Sequence, residues 1–126
     1  MQNAALTREI IGCAMTVHQT LGPGFLESVY ARALAHELGK AGLQVECNRA
    51  IKVVYDGIVI GDFVGDMLIA DTVLVENKAV KALVQAHEVQ LVNYLTATGI
   101  EIVLLLNFGT TSLQVKRKYR TYRKRK

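Results

Sequence analysis

The 126-residue sequence holds only two cysteines and one proline, and no apolar run approaches the roughly 20 residues a helix needs to span a bilayer. Nothing near Met1 resembles a hydrophobic signal core behind a basic leader, so the expected location is cytoplasmic. Cys13 and Cys47 lie in apolar-periodic segments without metal-ligand spacing, which reads as buried, reduced thiols. No internal repeat, low-complexity linker or second-domain boundary is visible. The length fits one domain with a proper core, and 51% hydrophobic content fits a folded globular chain.

Charge is unevenly distributed. Lys116 to Lys126 reads KRKYRTYRKRK and holds eight of the 15 basic residues and no acid. The remainder therefore sets seven basic residues against 11 acidic ones, a net of −4. This divides the chain into a single domain over residues 1–115 and a basic C-terminal tail over residues 116–126. Lys116, Arg117, Lys118, Arg120 and Arg123 make the tail a candidate contact for a polyanion such as nucleic acid, with Tyr119 and Tyr122 offering stacking surface. A merely solvated terminal charge run is the alternative.

Hydrophobic periodicity gives the order α-α-β-β-β-α-β-β. Leu6, Ile10, Cys13/Ala14, Val17 and Leu21 recur at helical spacing, and Leu21-Gly22-Pro23-Gly24 ends that helix. A second helix is expected from about Phe25 to Leu38, stopped by Gly39. Alternating apolar residues from Leu43 to Tyr55, then Asp56-Gly57, predict a strand and a hairpin turn. The next strand runs from about Ile58 to Ile69, with Gly61 and Gly65 permitting a bulge or bend. Val73 to Ala79 forms a third strand, and a helix follows over about Lys81 to Thr98. Ile102 to Leu106 is apolar throughout, as in a strand covered on both faces, and the helical crossover before it predicts parallel pairing. Ser112 to about Tyr119 is an expected edge strand merging into the tail.

Within this order, the hairpin Asp66 to Lys78 carries an acid on one arm and Glu-x-Lys on the other. Glu76 and Lys78 share a face, while Asn77 points the other way. If Ala70, Asp71 and Thr72 form a three-residue loop, Ile69 pairs with Val73, Leu68 with Leu74, and Asp66 falls opposite Glu76. Their β-carbons would then be about 4.5–5.5 Å apart, close enough for two carboxylates to share one cation. A two-residue loop would put Asp66 on the wrong face and leave each acid unpartnered. Hard oxygen ligands in this number suit Mg²⁺, or Mn²⁺ in its place, with Lys78 beside the ion to orient a water or stabilise charge on phosphorus. A structural ion pair of Lys78 with Glu76 or Asp66 is the competing reading.

Two helices add polar residues. Glu27 heads a stripe with Ala31, Leu34 and Leu38, so it is expected to point inward, with Tyr30 one turn on and able to hydrogen-bond it. Its first-turn position also suits an ordinary dipole-facing glutamate. On the third helix, His87, Gln90 and Tyr94 form a polar stripe beside Val84, Leu91 and Leu95. Gln90 and Tyr94 could orient Lys78 or touch a phosphate, whereas His87 and Glu88 read better as solvent-facing.

Together these residues resemble the PD-(D/E)XK nuclease superfamily, and within it the GxxExxY protein family, whose motif stands as Gly24-Phe25-Leu26-Glu27-Ser28-Val29-Tyr30. Asp66 with Glu76-Asn77-Lys78 resembles the superfamily core, and Gln90-Leu91-Val92-Asn93-Tyr94 resembles the QxxxY motif of its exonuclease-like branch. The resemblance implies an α/β restriction-endonuclease-like core, a central mixed sheet flanked by helices. It further implies Asp66 and Glu76 as metal ligands, the Asn77 backbone carbonyl beside them, Glu27 as a third acid and Lys78 as the catalytic lysine. Gln90, Tyr94 and Tyr30 would support these. One departure is Gly65, where the signature has proline before the aspartate. Two functions remain open: a Mg²⁺- or Mn²⁺-dependent nuclease cutting DNA or RNA, and a non-catalytic nucleic-acid- or protein-binding module on the same fold. Oligomeric state is open too, a homodimer included.

Overall fold

The computed structural model describes residues 3–120. Its elements are α1 (Ala4–Leu21), α2 (Glu27–Lys40), β1 (Val45–Tyr55), β2 (Ile58–Ile69), β3 (Val73–Lys78), α3 (Gln85–Thr98), β4 (Ile102–Asn107) and β5 (Gln114–Tyr119). The five strands form one mixed sheet in the order β1-β2-β3-β4-β5. All neighbours are antiparallel except β3 and β4, which α3 joins as a parallel pair. All six residues of β4 are buried, as the unbroken apolar run requires of a strand covered on both faces. The result is the expected restriction-endonuclease-like α/β core.

Two apolar layers enclose the sheet. On one side, Ile10, Ala14 and Val17 of α1 and Tyr30, Leu34 and Leu38 of α2 pack on Met67, Ile69, Val75, Leu104 and Leu106. On the other, Leu91 and Leu95 of α3 pack on Leu74, Val103 and Leu105. Burial of this kind removes apolar area from water at about 25 cal/mol per Å² and is the main force closing the sandwich.

The β2–β3 register follows from the three-residue turn: Ile69 pairs with Val73, Leu68 with Leu74 and Met67 with Val75. Ala70 and Asp71 take left-handed φ values of 51° and 54°, and the Thr72 N–H closes the turn on the Ile69 carbonyl. Strict alternation fails just before this region. Met67 and Ile69 face α1 and α2, yet Phe63 packs with the α3 layer, and a Cβ on Gly65 would run into Leu74 Cδ1 of that layer. Residues an even number apart should share a face, so the pleat is interrupted at Asp66. Across from it, the ladder skips Asn48, which has a left-handed φ of 53°. The flanking pairs, Cys47 with Met67 and Arg49 with Gly65, keep register.

Beyond this kink, β1 and β2 continue as a two-stranded ribbon, because β3 pairs with β2 only from Met67 to Ile69. A register shift at Val53/Val54 lies beside Gly61. Val54, Tyr55, Ile58, Val59, Ile60 and Val64 are all exposed on the ribbon.

Several sequence expectations need correction; Gly39, for one, lies inside α2, which runs on to Lys40. α2 starts at Glu27 rather than Phe25, because Gly24 adopts φ 112° and the chain enters the helix through an extended Leu26. α3 starts at Gln85 rather than Lys81, because Asn107 clamps the preceding segment. Its Oδ1 accepts the N–H groups of Val80 and Gly109 at 3.0 Å, and its Nδ2 donates to the Val80 carbonyl at 3.0 Å and Gln114 Oε1 at 2.8 Å. The tail boundary after residue 115 falls inside β5, whose backbone pairs with β4 from Gln114 to Tyr119. Cys47 is exposed and Cys13 half-buried, and both are free thiols.

Gly65→Val should destabilise the fold by about 1–3 kcal/mol, because Leu74 is buried and has little room to yield. A urea midpoint equal to that of the unsubstituted protein would show that the pleat relaxes freely at the kink.

Candidate functional site

The interrupted pleat is what brings the two acids together. Where β2 and β3 part, backbone ladder bonds give way to side-chain bonds. Asp66 Oδ2 accepts the Asn77 N–H at 2.9 Å, and Glu76 Oε1 accepts the Asp66 N–H at 3.4 Å. Each carboxylate thus takes a main-chain donor from the opposite strand. Asp66 Oδ1 and Glu76 Oε2 lie outside these two bonds, on hard-oxygen groups that suit a small divalent cation.

Glu76 is 8% exposed, and its pKa is pushed from 4.5 to about 8. Burial is the largest cause and the negative charge of Asp66 the next; the Asp66 N–H and Lys78 pull the other way, and a side-chain hydrogen bond with Asp66 adds to the rise. Lys78 is half-buried on the same face of β3. Among the described residues it forms no ion pair, so the structural-pair reading of Glu-x-Lys does not hold.

The family-scale pattern now has a structural counterpart. The model of the PD-(D/E)XK nuclease superfamily matches residues 4–118, nearly the whole described chain. The protein belongs to the PD-(D/E)XK nuclease superfamily. Among solved structures it is similar to an alkaline exonuclease (LHK-Exo) from Laribacter hongkongensis, with a TM-score of 0.47 and 17% identity. That alignment covers 75% of this chain and 55% of the exonuclease, so the chain spans about half of that protein's length. No protein of curated function matches the sequence.

In this nuclease-like chain, Glu27 lies apart from the two paired acids. It does not point into the core but is exposed, and the Tyr30 hydroxyl bonds elsewhere, donating to the Gly22 carbonyl at 2.5 Å and accepting the Phe25 N–H at 3.1 Å. Tyr30 also stacks on Phe108, with ring centroids 4.7 Å apart. The helical stripe divides by position: Tyr30, Leu34 and Leu38 enter the core, while Glu27, Ala31 and Ala35 line a cavity of about 420 Å³ between α2 and β1–β2. Asp66 and Met67 form part of its opposite wall. The small alanines leave the room, and Glu27, one turn beyond them at the helix end, overlooks it. Among the described residues no three His, Cys, Asp or Glu side chains are close enough to hold a metal together, so Glu27 stands outside the Asp66–Glu76 pair.

Asn77 is buried, its Nδ2 3.9 Å from Met67 Sδ and its Oδ1 without a hydrogen-bond partner among the described residues. Gln90 is exposed. Tyr94 is half-buried and stacks on Phe63 with centroids 4.2 Å apart, and among the described residues neither side chain bonds to Lys78 or the acids. His87 is half-buried rather than solvent-facing, with Nδ1 buried and unpartnered, and Glu88 is bound by Lys118 at 3.0 Å. Arg120 contacts Glu101 at 2.7 Å, so two of the basic residues expected to be held out for a polyanion are occupied within the domain. Lys116 and Arg117 are exposed on β5, and Arg123 lies outside the described residues. Sequence reading missed Asn107, which faces Lys78 across the β3–β4 ladder and anchors the segment immediately after it. An Asn ending an apolar strand was its only signal.

The raised Glu76 pKa has a signed consequence for stability. Between pH 4.5 and about 8 the native state holds a proton that the unfolded chain releases, so this stabilisation is complete below pH 4.5 and is lost as pH rises to about 8. The metal-free protein should therefore melt at a lower temperature at pH 8 than at pH 6, and Glu76→Gln should flatten that dependence. An equally steep pH profile in Glu76→Gln would assign the effect to another group.

Proposed function

We propose that this protein is a metal-dependent nuclease of the GxxExxY type that hydrolyses phosphodiester bonds in nucleic acid, with DNA the expected substrate. The observation that carries the reading is the joining of Asp66 and Glu76 at the open end of the sheet with no cation paired to either of them among the described residues. Burial first, and the Asp66 charge second, raise the Glu76 pKa to about 8, and a divalent ion at this site would relieve that cost.

The donor set fits Mg²⁺ or Mn²⁺. Asp66 and Glu76 would hold the ion with the Asn77 carbonyl, and Glu27 would act across the cavity as an outer acid. Mg²⁺ needs no more than one or two protein carboxylates when water and phosphate oxygens complete its shell. Such an ion supplies Lewis-acid polarisation of a phosphoryl oxygen and an acidified water. The chain's own residues do the rest. Asp66 and Glu76 fix two oxygens in one place through main-chain hydrogen bonds, which removes the cost of ordering them at the moment of reaction. Lys78, uncommitted to any carboxylate and held by the Asn107 clamp that follows it, offers an ammonium to charge developing on phosphorus. Tyr30 locks the Gly22–Phe25 loop, which sets the start of α2 and so the position of Glu27 on the cavity. Gln90 and Tyr94, on α3 at the opposite face of the sheet from α2, are proposed to support Lys78 or a substrate phosphate. Lys116 and Arg117 are left to contact the strand electrostatically.

The unpaired thiols accord with a cytoplasmic site of action. No helix among the described residues is long and apolar enough to cross a membrane.

Purified protein with Mg²⁺ or Mn²⁺ should cut labelled DNA or RNA, and EDTA should stop it. Lys78→Ala and Asp66→Asn should each reduce the rate by at least about 100-fold, in line with loss of one electrostatic stabiliser, while leaving circular dichroism unchanged. Cutting that survives both substitutions would come from a contaminant, and salt-sensitive binding without turnover would favour a non-catalytic module.

A further inference from the structure

The cavity beside the two acids also contains a cation. Arg32, on α2, lines the same space as Glu27 and Asp66, with Ser28 one turn before it. Several other basic groups are already committed: Lys40 to Glu37, Arg49 to Glu46 and Asp71, Lys118 to Glu88 and Arg120 to Glu101. Arg32 makes no ion pair among the described residues. It does not pair with Glu27 although both line one cavity, because five residues along a helix place them about 140° apart around its axis. Of the cations left uncommitted, including Arg8, Lys52, Lys81, Lys116 and Arg117, it is Arg32 that lines this cavity.

We infer that Arg32, assisted by the Ser28 hydroxyl, receives a backbone phosphate of the nucleic-acid strand next to the one presented to Asp66 and Glu76. The inference rests on the nuclease reading and adds where the strand runs next to the acids: along α2, through the cavity. A guanidinium presents two parallel N–H donors that match two phosphate oxygens, and a hydroxyl at i−4 on the same helical face adds a third donor. The separation of charge is consistent with this. Acids lining the cavity repel an unneutralised strand, and Arg32 on the same lining, without an ion pair among the described residues, gives that strand a point of attachment. Cys47 and Asn48, uncharged, close the β1 side without competing for the anion.

The test is equilibrium binding of a fluorescent oligonucleotide by anisotropy, with Ca²⁺ in place of Mg²⁺, over a salt series. Arg32→Ala should weaken binding about tenfold and lower the slope of log K against log salt by about 1, the signature of one lost phosphate contact. Arg32→Lys should restore the slope but not the full affinity, since it keeps the charge and loses the fork. Arg8→Ala, an exposed and equally unpaired arginine on α1, should change neither. Circular dichroism melts of each variant separate loss of contact from loss of fold. If the wild type binds but Arg32→Ala keeps its affinity and slope, the strand does not use this wall and the inference fails while the nuclease reading stands. If the wild type binds no oligonucleotide at all, both fail.

Discussion

Everything in the site depends on two carboxylates substituting for missing rungs of a β ladder. Asp66 and Glu76 each accept a main-chain N–H from the facing strand at the point where β2 and β3 diverge. That arrangement solves a local problem and creates a chemical one. Backbone donors that would otherwise be unpaired are satisfied, yet two like charges are pressed together where one is 8% exposed. The raised pKa of Glu76 reflects its burial first and the Asp66 charge second. A cation is the group that would relieve that cost, which is why structural and chemical roles cannot be separated at these two positions.

The surrounding fold holds this arrangement in place. The apolar layers cover β3 and β4 on both sides, and the Asn107 side chain ties Val80, just after Lys78, to Gly109 and Gln114. At the far side, the Tyr30 hydroxyl and ring fix the loop that leads into α2. Gly24, at φ 112°, is the residue that permits the turn. The spacing of glycine, glutamate and tyrosine in this segment therefore has a mechanical meaning. Glycine turns the chain, tyrosine pins the turn, and glutamate is delivered to the cavity rim.

Much of this was legible from residue order, because alternation and turn length are local. The Ile69–Val73 register, the parallel β3–β4 pair and the buried β4 all follow from patterns within a few residues. What was not legible involves partners distant in sequence. Strict alternation predicts that Phe63, Gly65 and Met67 share a face, but Asn48 and Asp66 break the pleat together, 18 positions apart. The reason for glycine before Asp66 also lies elsewhere, in the side chain of Leu74. Glu27 was expected to point inward with Leu34 and Leu38, yet it is exposed and joins Ala31 and Ala35 in lining the cavity. In the basic stretch, the edge strand expected up to about Tyr119 is present as β5, and its pairing with β4 takes in the first four residues that charge alone had assigned to the tail.

The ribbon beyond the kink carries a further implication for how this chain survives in a crowded solution. Its two outer rims are unpaired for much of their length and its side chains are largely aliphatic, a combination that invites one molecule to stack on another. Lys52 and Asp62 stand directly opposite each other in the middle of that stretch, placing a charge on each rim's strand. Charged residues set among exposed aliphatic ones are the kind that disfavour strand-on-strand stacking, because a strand added there would have to desolvate them.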